Sequence, residues 1–215
     1  MDIVRHDGEL IVHAEKKLLV FHIIDVVQRY DCVKPLDSGK ITSEDIKLAN
    51  IMGARFGKRY SGNLIGQDIS FIPDNLDLMT MGNQDWDSCK QIIKGPLQNL
   101  LNLHGVGCSV LTKAIHRKRP NFIPVCDAVV VGDILGANSS KDKKSANTIL
   151  LTMERLRDVG QKNSQTLGEI RNFLVATNKL PDLSNLRMLE ALYWMEKTER
   201  YTRLFEFMQK NQWWV

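Results

Sequence analysis

The chain has no apolar run approaching the roughly 18–20 residues that a membrane-spanning helix requires. Its first residues, MDIVRHDGELIVH, also lack the basic start, apolar stretch and small-residue cleavage site of a secretory signal. A cytoplasmic protein without a membrane partner is expected. Cysteine pairs at metal-ligand spacing are missing too. Cys32, Cys89, Cys108 and Cys126 stand 57, 19 and 18 residues apart, with no CxxC and no histidine at zinc-ligand spacing. Neither zinc nor an iron–sulfur cluster is therefore expected, and the thiols read as reduced and structural. Internal repeats, low-complexity tracts and long linkers are absent as well. What remains is a composition of 43% hydrophobic and 25% charged residues, that of an ordinary globular chain. Its 215 residues suffice for one sizeable core or for two small lobes sharing a cleft.

The most informative shortage is of acid. Ser88 to Cys126, 39 residues, contains no Asp or Glu, where about 4.5 would stand at the chain's average. The same stretch carries Lys90, Lys94, Lys113, Arg117, Lys118 and Arg119. Although the net charge is only +4, such a local excess can steer a polyanion, and it suggests a phosphate-facing surface. The plainer alternative is a basic face on a solvated helix.

Apolar spacing along the chain is mostly helical, which predicts a mostly α fold. Leu18, Leu19, Ile23, Val26 and Val27 form one stripe in a helix over 15–30. Thr42 and Asp45 have the spacing of a capping box opening a helix through Phe56. Residues 61–84, rich in Gly, Asn, Asp and Pro, read as an irregular connection. Further helices are expected near 92–102, 108–118, 128–135, 145–158, 164–177 and 184–209, with an exposed loop over Ser139 to Lys144. This divides the chain into an N-terminal helical segment, 1–84, contributing to one lobe, and a second unit, 85–215. Tyr193, Trp194, Tyr201, Phe205, Phe207, Trp213 and Trp214 have core spacing, although tryptophans can also stack on bases.

The stretch PLQNLLNLHGVGCSVLTKAIHRKRPNFIPVCDAVVV, Pro96 to Val131, carries the chemistry. Pro96 suits the first turn of a helix with Leu97, Leu100 and Leu101 on one face. Gly105 and Gly107 bracket Val106 and permit a tight turn and close backbone approach. A second helix starts at once, and its unpaired N–H groups form a ready phosphate site. Along it Val110, Leu111, Ala114 and Ile115 make an apolar face, opposite Ser109, Thr112, Lys113, His116 and Arg117. FIPVC then runs extended into Asp127, whose plain structural role would be to cap the helix that follows.

Leu103-His104-Gly105-Val106-Gly107, with Asp127 22 residues beyond Gly105, resembles the helix-hairpin-helix DNA glycosylase superfamily of the endonuclease III and adenine glycosylase type. GVGCSVLTKAIHRKRPNFIPVCD and SNLRMLEALYWM are also similar to a bacterial domain family marked by R-K-R-P after the hairpin, for which no substrate is implied. The superfamily resemblance implies a two-lobed helical fold, double-stranded DNA as partner, a monomeric state and Asp127 as catalytic carboxylate. It places Gly105, Val106, Gly107, Ser109, Lys113, Arg117, Lys118 and Arg119 on the DNA backbone. It also implies a structural sodium or potassium ion on the main-chain carbonyls of Leu101, Leu103 and Val106. Bifunctional members carry a nucleophilic lysine where this chain has Ser109, so hydrolysis without strand cleavage is expected, in DNA repair or in defence against phage DNA with modified bases. Two alternatives stay open: a non-catalytic DNA-binding module, and a lyase using Lys113. Phe56, Tyr60 and Trp86 are the candidates for stacking on an extruded base.

Overall fold

The computed structural model describes residues 1–33, 35, 38–136, 138, 142–177 and 183–211, and for 25–27, 58–60 and 200 the backbone alone. Two short antiparallel strands open the chain, β1 (Ile3–Val4) and β2 (Leu10–Ile11), in the register Ile3 to Ile11 and Val4 to Leu10. Helical periodicity could not reveal strands of two residues. Apart from an isolated antiparallel bridge between Lys40 and Asp68, the remaining regular structure among the described residues is helical, as expected, and among them no helix is long and apolar enough to cross a membrane.

The helix expected over 15–30 is interrupted. Ile24 is extended, and it separates α1 (Ala14–Ile23) from α2 (Asp25–Asp31) at a β-branched pair, Ile23-Ile24, that loses side-chain freedom in a helix. The capping box forms: the Asp45 amide donates to the Thr42 hydroxyl at 3.3 Å and the Asp45 carboxylate accepts the Thr42 amide at 2.7 Å. It opens α3 (Ser43–Ile51), which stops short of Phe56. Asn50 closes the following loop by accepting the Phe56 amide and donating to its carbonyl, and the loop includes left-handed Gly53 and Arg55.

The stretch read as irregular, 61–84, begins inside α4 (Lys58–Leu64). The helix expected from residue 92 begins nine residues earlier, as α5 (Asn83–Asn102), with Pro96 inside it rather than in its first turn. Trp86, Ile93, Leu97, Leu100 and Leu101 form its buried stripe, so packing overrides the proline's loss of one backbone bond. Then come α6 (Cys108–His116), α7 (Ala128–Leu135), α8 (Ala146–Lys162), α9 (Ser164–Ala176), α10 (Asn185–Lys197) and α11 (Glu199–Lys210).

Helix α10 is the hub, packed by α1, α7, α8, α9 and α11 and buried on nearly every side from Leu186 to Met195. α3 lies on α6, and α5 on α8. One apolar cluster runs from Ile3 through Leu101 and Ile115 to Met208, crossing the boundary drawn at residue 84. Ser139, Ser140, Trp213 and Trp214 lie outside the described residues.

Candidate active site

Two helices joined by a glycine turn build the first wall. Gly105 has φ +80°, a left-handed conformation that a Cβ disfavours, and the Val106 amide closes the turn on the Leu103 carbonyl at 3.1 Å. Gly107, extended, caps α6 and is needed for room: a Cβ there would stand 3.1 Å from the Lys143 carbonyl oxygen. That same carbonyl accepts the Cys108 amide at 2.8 Å. The first intrahelical bond comes from Leu111 to Gly107, and among the described residues the amides of Ser109 and Val110 have no backbone partner at this helix start.

Helix α6 is not two-faced. Cys108 and Val110 to Arg119 are all buried, which corrects the expectation of a polar face turned to solvent. Its polar side chains point at other protein groups. The Thr112 hydroxyl accepts the Cys126 amide at 2.9 Å, and the His116 ring donates from Nδ1 to the Ile123 carbonyl at 2.6 Å. From α10, the Glu190 carboxylate accepts the Val125 amide. Three side chains thus hold the extended segment 123–126 between α6 and α10, and deliver Asp127 at a fixed place.

Asp127 caps α7 with one oxygen. Its Oδ1 accepts the amides of Val129 and Val130, both at 3.0 Å, and its Oδ2 stands 3.9 Å from the Lys113 ammonium. The Asp127 side chain is 18% exposed, against 5% for Lys113, which also donates to the Met52 carbonyl at 2.8 Å. Burial pulls the Lys113 amine below its ordinary value, against the raising influence of Asp127 and Glu190. These groups face a cleft of about 690 Å³ whose walls include Gly105, Gly107, Ser109 and Lys113. A second cavity of about 500 Å³ lies beside it, lined by Phe21, Trp194, Tyr201, Arg187 and Glu190. Met52, Gly53, Arg55, Asp127 and Trp194 border both, so the Asp127 carboxylate stands where they meet.

The structure therefore brings Gly105, Gly107, Ser109, Lys113 and Asp127 to one cleft, with Val106 buried beneath the turn. It does not bring Arg117, Lys118 and Arg119 there. Arg117 and Lys118 both pair with Asp45, at 3.0 and 2.9 Å, and Arg119 pairs with Asp74 at 2.6 Å and donates to the Ile72 carbonyl. All three are buried, so the acid missing locally arrives from distant segments, and their expected phosphate contact is corrected. Two of the stacking candidates are corrected too. Phe56 is core, and Trp86 is enclosed, edge-on to Phe122 with its indole N–H on Glu154. The Tyr60 side chain lies outside the described residues.

Trp194 and Glu190 also line the second cavity, although the sequence marks Trp194 only as an aromatic of core spacing and does not mark Glu190 as a site residue. Trp194 was indistinguishable from its core neighbours, while Glu190 carried a signal: a lone acid inside the apolar run MLEALYWM.

The elements define a mostly α protein in which a glycine-turned helix pair and an extended segment present one carboxylate to a cleft. The chain belongs to a family of unknown function (DUF6308), whose model matches residues 58–197. That span runs from α4 through α10 and contains the turn, Asp127, Glu190 and Trp194. No curated protein and no solved structure matches the chain.

Proposed function

We propose that the protein is a monofunctional DNA glycosylase of two-lobed helix-hairpin-helix type, hydrolysing the N-glycosidic bond of a damaged or modified base. The observation that carries this reading is the place of Asp127: the residue borders both the hairpin cleft and an aromatic cavity, and Oδ1 alone satisfies the helix cap, leaving Oδ2, 3.9 Å from the Lys113 ammonium, outside that task. Breaking the C1′–N bond sends its electron pair to the base and leaves positive character on the sugar, which an anionic Asp127 stabilises. Water then adds to C1′ and gives its proton to the carboxylate or solvent. The amides of Ser109 and Val110 offer a phosphate site, and exposed Lys143 and Arg55 on the cleft wall, with exposed Lys144 beside them, replace the buried cations as backbone contacts. A monovalent cation on the carbonyls of Leu101, Leu103 and Val106 is compatible with the turn, because the Leu103 carbonyl accepts one hydrogen bond and keeps a second lone pair. It would add positive charge near the phosphate.

A second reading, base removal with strand cleavage, is favoured by one observation: Lys113 lies 3.9 Å from Asp127 with its basicity lowered by burial. A neutral amine attacking C1′ would expel the base with its bonding electron pair; opening of the C1′–O4′ bond, with the amine's proton passing to O4′, would then give a Schiff base and permit β-elimination. Mass spectrometry of bases freed from damaged, methylated and phage-type modified DNA tests the first reading. Release by the wild type and none by Asp127→Asn is expected, and no release from any of these DNAs would sink it. Borohydride trapping decides between the two: an adduct lost in Lys113→Ala would establish the lyase.

A further inference from the structure

We propose that the 500 Å³ cavity beside Asp127 receives an amino-bearing nucleobase, whose N–H edge is read by Glu190. This rests on the base-excision reading and names its substrate class. The volume lies within the roughly 300–1,000 Å³ usual for small-ligand sites. Its walls suit a flat heterocycle. The rings of Trp194 and Tyr201 lie 4.7 Å apart between centroids, and Phe21 meets Trp194 edge-on at 5.9 Å. Such faces stack on any base and do not discriminate.

Discrimination falls to Arg187 and Glu190, the two charged residues of α10 in this lining. Arg187 is committed: Nε and Nη2 donate to Asp31 at 3.0 and 3.1 Å, and Nη1 donates to Glu190. Glu190 is not. Each of its oxygens takes one donor, Arg187 on Oε1 and the Val125 amide on Oε2, and each keeps a further lone pair. Glu190 and Asp127 are the acids among the described residues of this lining, so a ligand group that meets either carboxylate must supply N–H. An exocyclic amine of adenine, cytosine or guanine supplies it. Burial also lifts the Glu190 carboxyl to about 7, so that at neutral pH part of the population carries an O–H, able to donate to the ring nitrogen adjoining such an amine. A ligand without the amine forgoes this additional hydrogen bond to a charged, buried group.

Equilibrium dialysis of the full chain against free bases tests this in matched pairs: adenine with purine, and cytosine with pyrimidin-2-one, each pair differing by the amine. The wild type should prefer the amino member by at least about ten-fold, the weight of one buried hydrogen bond to a charged group. Glu190→Gln should bring each pair within about three-fold, since one acceptor becomes a donor. Trp194→Ala, outside the ion cluster, should weaken both members of a pair alike and keep the preference. Equal binding of the pairs by the wild type, or an undiminished preference in folded Glu190→Gln, overturns the proposal. If Glu190→Gln fails to fold, unchanged affinities in Trp194→Ala overturn it instead. Base release from DNA is scored separately. Preference without excision sinks the glycosylase reading alone, and excision without preference sinks this one alone.

Discussion

At the scale of single residues, the Asp127 carboxylate divides between two tasks. Oδ1 holds two amides of the first turn of α7, and Oδ2 stands 3.9 Å from the Lys113 ammonium. Asn caps a helix about as well as Asp but carries no charge. Asp127→Asn should therefore melt within a few degrees of the wild type while base release falls by about 10²–10⁴-fold, the weight of a positioned acid–base group. Asp127→Ala should add a cap loss of about 1 kcal/mol. Thermal melts with single-turnover excision separate the two tasks, and full activity in Asp127→Asn would reduce the residue to a cap.

At the scale of elements, what joins α3 to α6 is a buried charge cluster rather than a basic surface. Asp45 accepts from Arg117, from Lys118 and from both Thr42 donors, so one carboxylate closes the capping box and pairs with two cations, its single charge shared between them. Removing one member of a buried pair leaves the other charged and unsolvated. Asp45→Ala should accordingly cost about 3–5 kcal/mol in denaturant unfolding, and a loss below 1 kcal/mol would show that water reaches the cluster. The hairpin turn makes a smaller demand. Gly105→Ala forces an L side chain to φ +80° and should cost about 1–2 kcal/mol by the same measurement. No loss would mean that the turn relaxes out of the left-handed region.

For the whole molecule, charge and pH set the expectations. With Arg117, Lys118 and Arg119 enclosed, DNA affinity should depend on the exposed cations about the cleft. Changing Lys143 and Lys144 to Ala should flatten the log–log salt dependence of duplex binding by about 0.9 for each phosphate that is no longer neutralised. An unchanged slope would move the interface to another face. In the interior, His116 and Glu190 stand 3.9 Å apart and shift oppositely, burial lowering the imidazole to about 4 and raising the carboxyl to about 7. The depressed His116 contributes stability that is complete above 6.5 and lost as pH falls toward 4. The raised Glu190 contributes stability that is complete below 4.5 and lost as pH rises toward 7. Between 4.5 and 6.5 these slopes oppose each other. His116→Gln removes the first, so its urea-unfolding stability should tilt downward with rising pH, relative to wild type, by about 1.4 kcal/mol per pH unit. Parallel curves would show His116 equally protonated in folded and unfolded chains.

Local features were legible from the sequence because their causes are local. Helical periodicity, the Thr42–Asp45 box, the glycine turn and the capping position of Asp127 each depend on residues within a few positions of one another. Pairings between distant segments were not. The acid-free stretch read as a phosphate surface because the counter-charges of Arg117, Lys118 and Arg119, Asp45 and Asp74, lie far upstream in the chain. Trp86 and Trp194 carry the same indole, yet one is sealed against Phe122 and the other borders both cavities. Which tryptophan meets a ligand, which cation is neutralised and which acid faces a cavity depend on what the chain folds against each group, and only the packed helices decide that.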